Sequence, residues 1–191
     1  MCRAQAGVKR AFDVLLAALA LVVLSPLLAV IALIVKLDSP GPAFYNSRRL
    51  GLHGEQFTLY KFRTMYDKSP PRYLPDGSMV VEKHDTRVTR AGRFLRLGFD
   101  ELPQLWNVLR GEMSLIGPRP DLPHALDLYQ GEERLRLTMR PGLTGLAQVS
   151  GRVKIPWRER LALDIKYVRN YSLRLDLKIA LLTLIEFVSP N

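Results

Sequence analysis

Cysteine and histidine are scarce in this sequence of 191 residues. Cys2 is its one cysteine, so no disulfide can form within the chain and a reducing compartment is expected. The three histidines, His53, His84 and His124, lie far apart and lack the spacing of metal ligands. The aromatic fraction of 8% offers no base-stacking platform, and the sequence contains no Walker-type phosphate loop and no internal repeat.

Acidic residues are also in deficit, since 18 Asp and Glu stand against 28 Lys and Arg for a formal net charge of +10. Such a charge predicts an anionic partner, and nucleic acid, an anionic membrane face and a phosphorylated substrate all qualify. The length suits one domain with an appended segment.

Charge is missing altogether from residues 14–35, where Ser25 carries the only side chain that can hydrogen-bond. Leu, Ile or Val fill 15 of these 22 positions, which favours insertion into a membrane over burial in a soluble core. The run continues past the length of a signal-peptide core, so a cleaved signal peptide is not expected.

Pro26 interrupts this apolar run, because proline lacks an N–H and its ring clashes with the preceding turn. The two half-helices, residues 14–24 and 27–35, would each reach about 13–17 Å, roughly half of the hydrocarbon core. Basic residues flank both ends, which favours keeping both ends on the cytoplasmic side. A re-entrant helix hairpin satisfies length, break and charge, and Ser25 could bond a carbonyl that Pro26 leaves free. A kinked transmembrane helix is the alternative that these residues leave open.

Two short strands are predicted next, at residues 43–46 and 56–66, with a turn at 51–55. On one face of the second strand Lys61 and Arg63 follow two apolar residues, which suggests a strand that leaves the core for an anion; a solvated strand end is the alternative. Residues 67–85 are predicted to form a long polar loop. A basic stripe follows at three-residue spacing and is typical of a solvated or headgroup-facing surface: Arg87, Arg90, Arg93 and Arg96.

The stretch FDELPQLWNVLRGEM places Asp100 and Glu101 side by side before a predicted helix. The helix is indicated by an apolar face and a terminal glycine, at Leu102, Leu105, Trp106, Leu109 and Gly111. Asp100 could cap this helix while Glu101 favours its dipole. SLIGPRP and MRPGLTGLAQVSGR follow, and their arginines, prolines and glycines suit the binding of a phosphate. Two carboxylates among several cations therefore suggest phosphoryl transfer, in which a carboxylate is the nucleophile or holds a divalent metal.

The last predicted helix covers residues 172–188. Its apolar side suits packing against a membrane, against the first apolar segment or against the core, and consists of Leu177, Leu181, Leu184, Ile185 and Val188.

The motifs and their order along the chain resemble those of the small monotopic phosphoglycosyl transferases, the bacterial sugar transferase family of glycan initiation. The matching stretches are KRAFD, the Ser25–Pro26 break, YKFRTM, DELPQLWNVLRGEMSLIGPRP, RPGLTGLAQVSGR and DIKYVRNYSLRLDLKI. The resemblance implies an α-rich α+β, membrane-associated fold with an N-terminal re-entrant, kinked helix hairpin, a small β-hairpin and amphipathic interfacial helices. Residues 1–37 would form the re-entrant membrane helix, and residues 38–191 the cytoplasmic catalytic domain with its interfacial helices.

The resemblance also implies a reaction and its participants. A phospho-sugar passes from a UDP-sugar to polyprenol phosphate at the cytoplasmic face of the bacterial inner membrane, UMP is released and Mg²⁺ is required. Asp100 is then the nucleophile that forms a covalent intermediate, Glu101 assists as metal partner or base, and both are candidate metal ligands. The implied substrate-binding residues are Lys61, Arg87, Arg96, Arg119, Gln148 and Arg152. The lipid bilayer, a homodimer and downstream glycosyltransferases are further candidate partners, and no nucleic acid is expected.

Two departures from the family pattern bear on these roles. RLGFDE is shorter than the usual spacing before the acidic pair, which puts the role of Arg96 in question and makes Arg93 a substitute. Leu146 stands where a tryptophan is frequent, which alters the expected donor pocket. The chain has no N-terminal transmembrane bundle of the kind that larger members carry, so it is expected to be the minimal catalytic form.

The competing function is a non-catalytic, membrane-anchored basic adaptor that binds anionic lipid or a partner protein. Nucleic-acid binding is a third class, which strongly salt-dependent affinity for an oligonucleotide would revive.

Overall fold

Helices build most of this protein, as the family resemblance implied. The computed structural model describes residues 3–70, 85–151 and 155–188. Within these ranges the helices are α1 (Arg3–Asp38), α2 (Arg90–Leu95), α3 (Gln104–Arg110), α4 (Ala125–Leu128), α5 (Leu146–Val149), α6 (Trp157–Arg169) and α7 (Leu173–Val188). The strands are β1 (Phe44–Leu50), β2 (Gln56–Phe62), β3 (Ser114–Ile116) and β4 (Gly142–Thr144), and 3₁₀ turns cover Leu52–Gly54, Phe99–Glu101 and Gly131–Thr138.

The predicted small β-hairpin is confirmed. Strands β1 and β2 pair antiparallel from Phe44 opposite Phe62 to Leu50 opposite Gln56. The 3₁₀ turn between them has His53 at φ 57°, a left-handed conformation that closes the reversal. Phe57 and Leu59 on β2 are buried, and Lys61, on the same face by alternation, is partly buried near the end of the strand.

Strands β3 and β4 form a second, parallel sheet that the sequence patterns did not predict. Each strand has three residues, which is too short for a period-2 pattern to be recognised. The two backbones come unusually close where Gly142 lies beside Gly117: a Cβ added at Gly142 would lie 2.0 Å from the Gly117 nitrogen. Likewise, a Cβ at Gly145 would lie 2.1 Å from the Gly117 oxygen. These glycines, which the sequence suggested for close approach to an anion, allow one backbone to approach another.

Helix α1 continues without interruption through Pro26. Proline has no N–H to offer the Val22 carbonyl, and the Ser25 hydroxyl donates to that oxygen instead at 2.8 Å. The predicted bond from Ser25 is therefore present, whereas the predicted break is not, and the structure does not show a re-entrant hairpin. Residues Gln5–Asp38 are, within the described ranges, the one helix long and apolar enough to cross a membrane by length and composition.

Both halves of α1 pack against the rest of the protein. Before Pro26, Ala17 is fully buried in a cluster with α3 and β2. After Pro26, Ile31 and Val35 pack with Phe62 and Leu95. The opposite side of α1 exposes large apolar residues along its length, among them Leu15, Leu19, Val22, Val23, Val30 and Leu33. The helix therefore covers the domain with one face and leaves an apolar face without a protein partner among the described residues.

Polar contacts fasten the first turns of α1 to the domain. Lys9 Nζ lies 2.7 Å from Asp176 Oδ2 on α7, and both side chains are buried. Arg10 donates to the carbonyl oxygens at the end of α3, and Asp13 Oδ1 accepts the backbone N–H of Leu115 at 3.0 Å. The basic and acidic residues of the KRAFD motif thus join α1 to the domain.

The other end of α1 is held by Arg63, which is buried. Its guanidinium donates to the carbonyl oxygens of Val35, Ser39, Pro40 and Pro42. The suggestion that Arg63 points towards an anion is therefore wrong, because its donors are used by the helix end and the turn that follows.

Candidate active site

A bridged carboxylate lies at the centre of the candidate site. Glu101 Oε1 accepts from Lys61 Nζ at 2.6 Å and from Arg119 Nη2 at 2.9 Å. Lys61 precedes Glu101 by 40 residues and Arg119 follows it by 18, so three separate segments meet at one oxygen atom. The structure thus brings together three of the residues that the sequence suggested for phosphate chemistry.

Local structure explains how the acidic pair reaches this place. Gly98 has φ 125°, which a side chain would strain, and it turns the chain from α2 into the 3₁₀ turn Phe99–Glu101. The N-cap of α3 is Pro103, three residues after Asp100. No side-chain hydrogen bond caps the start of the 3₁₀ turn or the start of α3. The capping interpretation of Asp100 is therefore wrong. Gly111 ends the helix at φ 83°, as predicted.

Asp100 is half-buried beside this bridge. Burial raises the pKa of its carboxyl above the ordinary value and Glu101 raises it further, while the Lys61 and Arg119 charges oppose them. Asp100 therefore takes up a proton more readily than its neighbour Glu101, so the two adjacent carboxyl groups differ in how firmly they hold their charge.

The three bridged residues are electrostatically coupled. Burial alone would raise the pKa of Glu101, but the charges of Arg119 and Lys61 win and hold it well below its usual range. Burial lowers the pKa of Lys61, with Glu101 opposing the shift, whereas Glu101 raises the pKa of Arg119. The Arg119 side chain is 46% exposed, so one cation of the site remains open to a ligand from solvent.

Asn107 sets the distance between α3 and β2. Its side chain is fully buried, its Nδ2 donates to the Thr58 carbonyl at 2.7 Å, and its Oδ1 accepts the Tyr60 N–H at 3.1 Å. Nδ2 also donates to Glu112 Oε2 at 2.6 Å. Because Lys61 is the next residue on β2 and Glu101 precedes α3, this amide positions both partners of the ion pair. Sequence analysis missed it, since a single asparagine in a helix carries no periodic signal.

We expect Asn107→Ala to lower the free energy of unfolding by about 2–4 kcal/mol, because two part-buried backbone groups on β2 lose their partner and a fully buried side chain is removed. Thermal and denaturant unfolding measure this loss. Asn170→Ala is the matched control, since that amide is exposed and donates to the Lys166 carbonyl at the end of its own helix. Equal losses in both variants would contradict the assigned role.

The other predicted substrate-binding residues are dispersed. Arg87 forms a fork with Asp85, with its Nη2 2.6 Å from Oδ2, and its Nη1 donates to the Pro70 carbonyl. Arg96 is exposed and its Nε donates to Thr64 Oγ1 at 3.3 Å. Neither arginine joins the bridge at Glu101. Arg152 lies outside the described residues.

Gln148 is buried on α5, and neither polar atom of its side chain has a hydrogen-bond partner in the described part of the chain. A buried amide without partners is costly. Its Oε1 lies near Gly145, which itself abuts the Gly117 carbonyl two residues before Arg119. Gln148 therefore offers donors and an acceptor close to the backbone that carries Arg119.

Trp106 shows a further difference from the predicted helix pattern. Its predicted place was the apolar inner face of α3, but its ring is 52% exposed. Val108 and Asn107 take the fully buried positions instead. The outer side of α3 thus exposes a large amphipathic side chain.

A divalent cation could be held only in part by protein atoms here. Within the described ranges no group of three or more His, Cys, Asp or Glu side chains is placed to hold an ion. Asp100 and the second oxygen of Glu101, which accepts no bond from Lys61 or Arg119, remain as oxygen donors. Mg²⁺ commonly takes one or two carboxylates and completes its shell with water and substrate phosphates, so this donor set fits that ion.

Comparison with known proteins adds the following similarities. Residues 4–190 match the family described as Bacterial sugar transferase. The exopolysaccharide production protein ExoY of Rhizobium meliloti is 44% identical over 188 residues, covering 92% of this chain and 83% of that protein. The UDP-glucose:undecaprenyl-phosphate glucose-1-phosphate transferase of Caulobacter vibrioides is 47% identical over 195 residues, covering 96% of this chain and 70% of that protein. The Escherichia coli protein of the same description is 39% identical, and 39% of its length is covered.

Proposed function

Because this chain belongs to the bacterial sugar transferase family, we propose that it transfers a phospho-sugar from a UDP-sugar to polyprenol phosphate, undecaprenyl phosphate being the first candidate. The chain is an enzyme of the phosphoglycosyl transferase type. The observation that carries the proposed site is the Glu101 oxygen bridged by Lys61 and Arg119 next to Asp100.

The proposed reaction has two displacements at one phosphorus atom. An oxygen of ionised Asp100 attacks the sugar-linked phosphorus of the donor, a new O–P bond forms, and the bond to the bridging oxygen breaks so that UMP leaves with both electrons. A phosphate oxygen of the polyprenol phosphate then attacks the same phosphorus. The bond to Asp100 breaks, and the carboxylate is regenerated beside a polyprenol diphospho-sugar.

Charge neutralisation is the main task of the surrounding residues in such a reaction. Glu101 holds Lys61 and Arg119 in place while the site is empty. Phosphate oxygens of the donor can then bind the exposed guanidinium of Arg119 and share the Lys61 charge. Gln148 supplies amide hydrogen bonds near the same backbone.

Mg²⁺ is proposed as the cofactor, with Asp100 and Glu101 as its protein ligands. When bound, this ion neutralises charge that develops on the diphosphate. Lys61 and Arg119 orient the phosphates of the donor.

A monotopic position at the cytoplasmic face of the inner membrane is proposed from the contacts of α1. Both ends of this helix bind the same domain, through Lys9 at one end and Arg63 at the other. A helix that crossed the bilayer would place one of these ends on the far side, away from the domain. The exposed apolar face of α1 can instead enter one leaflet, as the family's re-entrant helix does, while both ends stay at the cytoplasmic surface.

Two further helices have the surface expected at a membrane interface. On α7, the predicted apolar side points away from the core, with Leu177 63% and Ile185 63% exposed. On α2 Phe94 is exposed, and Leu97 just after the helix is exposed too, among exposed arginines. A homodimer and downstream glycosyltransferases stay predictions.

The test of this function uses purified full-length chain in nanodiscs with Mg²⁺ and a panel of UDP-sugars. UMP release and a polyprenol diphospho-sugar, formed when undecaprenyl phosphate is also present, are the expected products. No UMP from any donor, with the acceptor supplied, would sink the proposal and leave the basic lipid-binding adaptor to be tested by vesicle co-sedimentation.

The rate of the first displacement should fall in acid with a midpoint above 3.8, the ordinary pKa of the Asp100 carboxyl. Only ionised Asp100 attacks, and its raised pKa means that protons bind it at a higher pH. Lys61→Met removes an opposing positive charge, so the acid limb should move to higher pH. Glu101→Gln removes a negative charge and should move it to lower pH. Single-turnover UMP release, measured against pH, gives the acid midpoint of the wild type and of both variants. Equal midpoints in the three proteins would contradict the assignment of the acid limb to Asp100.

A further inference from the structure

The segment that carries Arg119, residues 118–121, is held by hydrogen bonds at every carbonyl. The Pro118 oxygen accepts the Gly142 N–H at 2.8 Å, and the Asp121 oxygen accepts the Leu50 N–H at 2.9 Å. Between them, the Pro120 oxygen accepts from Arg49 Nη1 at 3.4 Å, and the Arg119 oxygen accepts from Arg136 Nη2 at 2.5 Å. Prolines on both sides of Arg119 restrict its backbone further.

Arg136 is almost fully buried, with 3% of its side chain exposed. Its Nε and Nη2 donate to Asp164 Oδ2 on α6 at 3.1 and 2.7 Å, and its Nη1 donates to Asp121 Oδ2 at 2.6 Å. The Arg136 guanidinium thereby links α6 to both Arg119 and Asp121.

Two aromatic residues join the hydrogen bonds around Arg136 and Asp121. The Tyr129 hydroxyl accepts from Arg136 and donates to Asp121 at 3.0 Å, and Trp157 Nε1 donates to the same Asp121 oxygen at 3.2 Å. The two rings stack at a centroid distance of 6.1 Å. Arg136, Tyr129 and Trp157 therefore each donate one hydrogen bond to Asp121 Oδ2, two residues after Arg119.

We propose that Arg136 is a positioning residue for the transfer reaction: its bonds to the Arg119 carbonyl, Asp121 and Asp164 fix the backbone of residues 118–121 so that the Arg119 guanidinium reaches Glu101 and the donor phosphates. This proposal rests on the proposed function for its catalytic consequence. The structural part of the proposal, the position of the Arg119 guanidinium, rests on the contacts alone.

A buried ion cluster is a poor source of stability, since the desolvation of three charges offsets most of their attraction. What the cluster does provide is a single geometry, because the planar fork of an arginine can satisfy two carboxylates and a carbonyl only in one arrangement. A lysine at position 136 would keep the charge and lose that arrangement.

The catalytic test is a double-mutant cycle between Arg136→Lys and Arg119→Ala, read as single-turnover UMP release. In the wild-type background Arg136→Lys should slow release by about 10–100-fold, because a misplaced catalytic group costs that much. In the Arg119→Ala background it should slow release by less than about 2-fold, because the group through which it acts is gone. Equal effects in both backgrounds would show a general structural role and overturn the proposal.

Arg63→Lys is the matched control, because Arg63 is a second buried arginine whose donors also go to backbone carbonyls. Its effect on UMP release, whatever its size, should be the same with and without Arg119. Tyr129→Phe is the milder variant to use if Arg136→Lys does not fold, since it removes one hydroxyl contact of the cluster and keeps the ring. It should repeat the coupling to Arg119 at smaller magnitude.

A readout that needs no turnover separates this proposal from the proposed function. In ¹⁵N-arginine spectra of the full-length chain, the Arg119 Nε–H signal is assigned by its disappearance in Arg119→Ala. This signal should shift, and exchange faster with water, in Arg136→Lys but not in Arg63→Lys. An unchanged Arg119 signal in Arg136→Lys would overturn the proposal even if the enzyme turned over as expected. If the Arg119 signal shifts in Arg136→Lys but the wild-type chain consumes no UDP-sugar, the positioning role of Arg136 is supported and only the proposed function is rejected.

Discussion

Asp100→Asn is expected to reduce UMP release from the donor by at least about 10³-fold, because the amide is a poor nucleophile and cannot form the acyl-phosphate bond. Asparagine has nearly the same shape, and Asp100 makes no side-chain cap bond to α3. The fold should therefore survive the change, so that a loss of turnover reports on chemistry.

The measurement leaves out the lipid acceptor. Wild-type chain, Mg²⁺ and a reactive UDP-sugar should yield one equivalent of UMP and a mass increase equal to one phospho-sugar on the peptide that contains Asp100. Asp100→Asn should yield neither. The sugar found in the adduct identifies the donor.

Asp127→Asn serves as the matched control, because Asp127 is exposed on the short helix α4. It should form the adduct at the wild-type level. An adduct that persists in Asp100→Asn, or one that maps to another peptide, would reject Asp100 as the nucleophile. Normal turnover with no adduct would point to direct transfer between donor and acceptor.

Glu101→Gln is expected to lower both turnover and stability. Glutamine can still accept a hydrogen bond, but its neutral oxygen no longer separates the charges of Lys61 and Arg119, which lie within 2.6 and 2.9 Å of that atom in the wild type. The two cations then repel, and the geometry prepared for phosphate is lost. We expect UMP release to fall by about 10²-fold or more, and the free energy of unfolding at pH 7 to fall by about 2–3 kcal/mol.

The dependence of this stability loss on pH follows from the direction of the shift. The pKa of Glu101 is lower in the folded protein than its ordinary value of 4.5. Its contribution to stability is therefore fully present above pH 4.5 and disappears as the pH falls further and the carboxylate takes up a proton. Wild type and Glu101→Gln should differ in unfolding free energy at neutral pH and converge in acid.

Glu132→Gln is the control for this second experiment, since it removes the same charge from an ion pair with Arg169 that is exposed on both sides. Its effect on stability should be small, because exposed ion pairs contribute about 0–1 kcal/mol. A Glu101 variant that behaves like the Glu132 variant at every pH would contradict the bridged arrangement.

Patterns within short windows of sequence account for what could be predicted. The apolar run, the hairpin around Leu52–Gly54, the end of α3 at Gly111 and the helix Leu173–Val188 all follow from periodicity and from glycine at a left-handed position. The acidic pair was found because adjacent carboxylates in a basic chain lie beside arginines held between prolines. The family resemblance then supplied a role for each.

Contacts between distant segments account for what could not be predicted. Helix α1 remains unbroken at Pro26, with the Ser25 hydroxyl replacing the missing donor and both helix halves packed on the domain. Arg63 was predicted either to face an anion or to lie at a solvated strand end, but it is buried and closes the end of α1. Lys61, two residues earlier in the chain, contacts Glu101 instead. Alternation places both lysine and arginine on one face, and only the neighbouring elements decide what each one contacts.

The sequence alone therefore determined the family and the kinds of side chain available to the site, because the order of the motifs and the identity of each residue do not depend on how the chain folds. The tertiary structure alone decided which cations meet Glu101 and which arginine, Arg136, holds the backbone beneath Arg119. Those pairings join residues 17 to 40 positions apart, and packing of whole elements, rather than any local preference, brings such residues within hydrogen-bond distance.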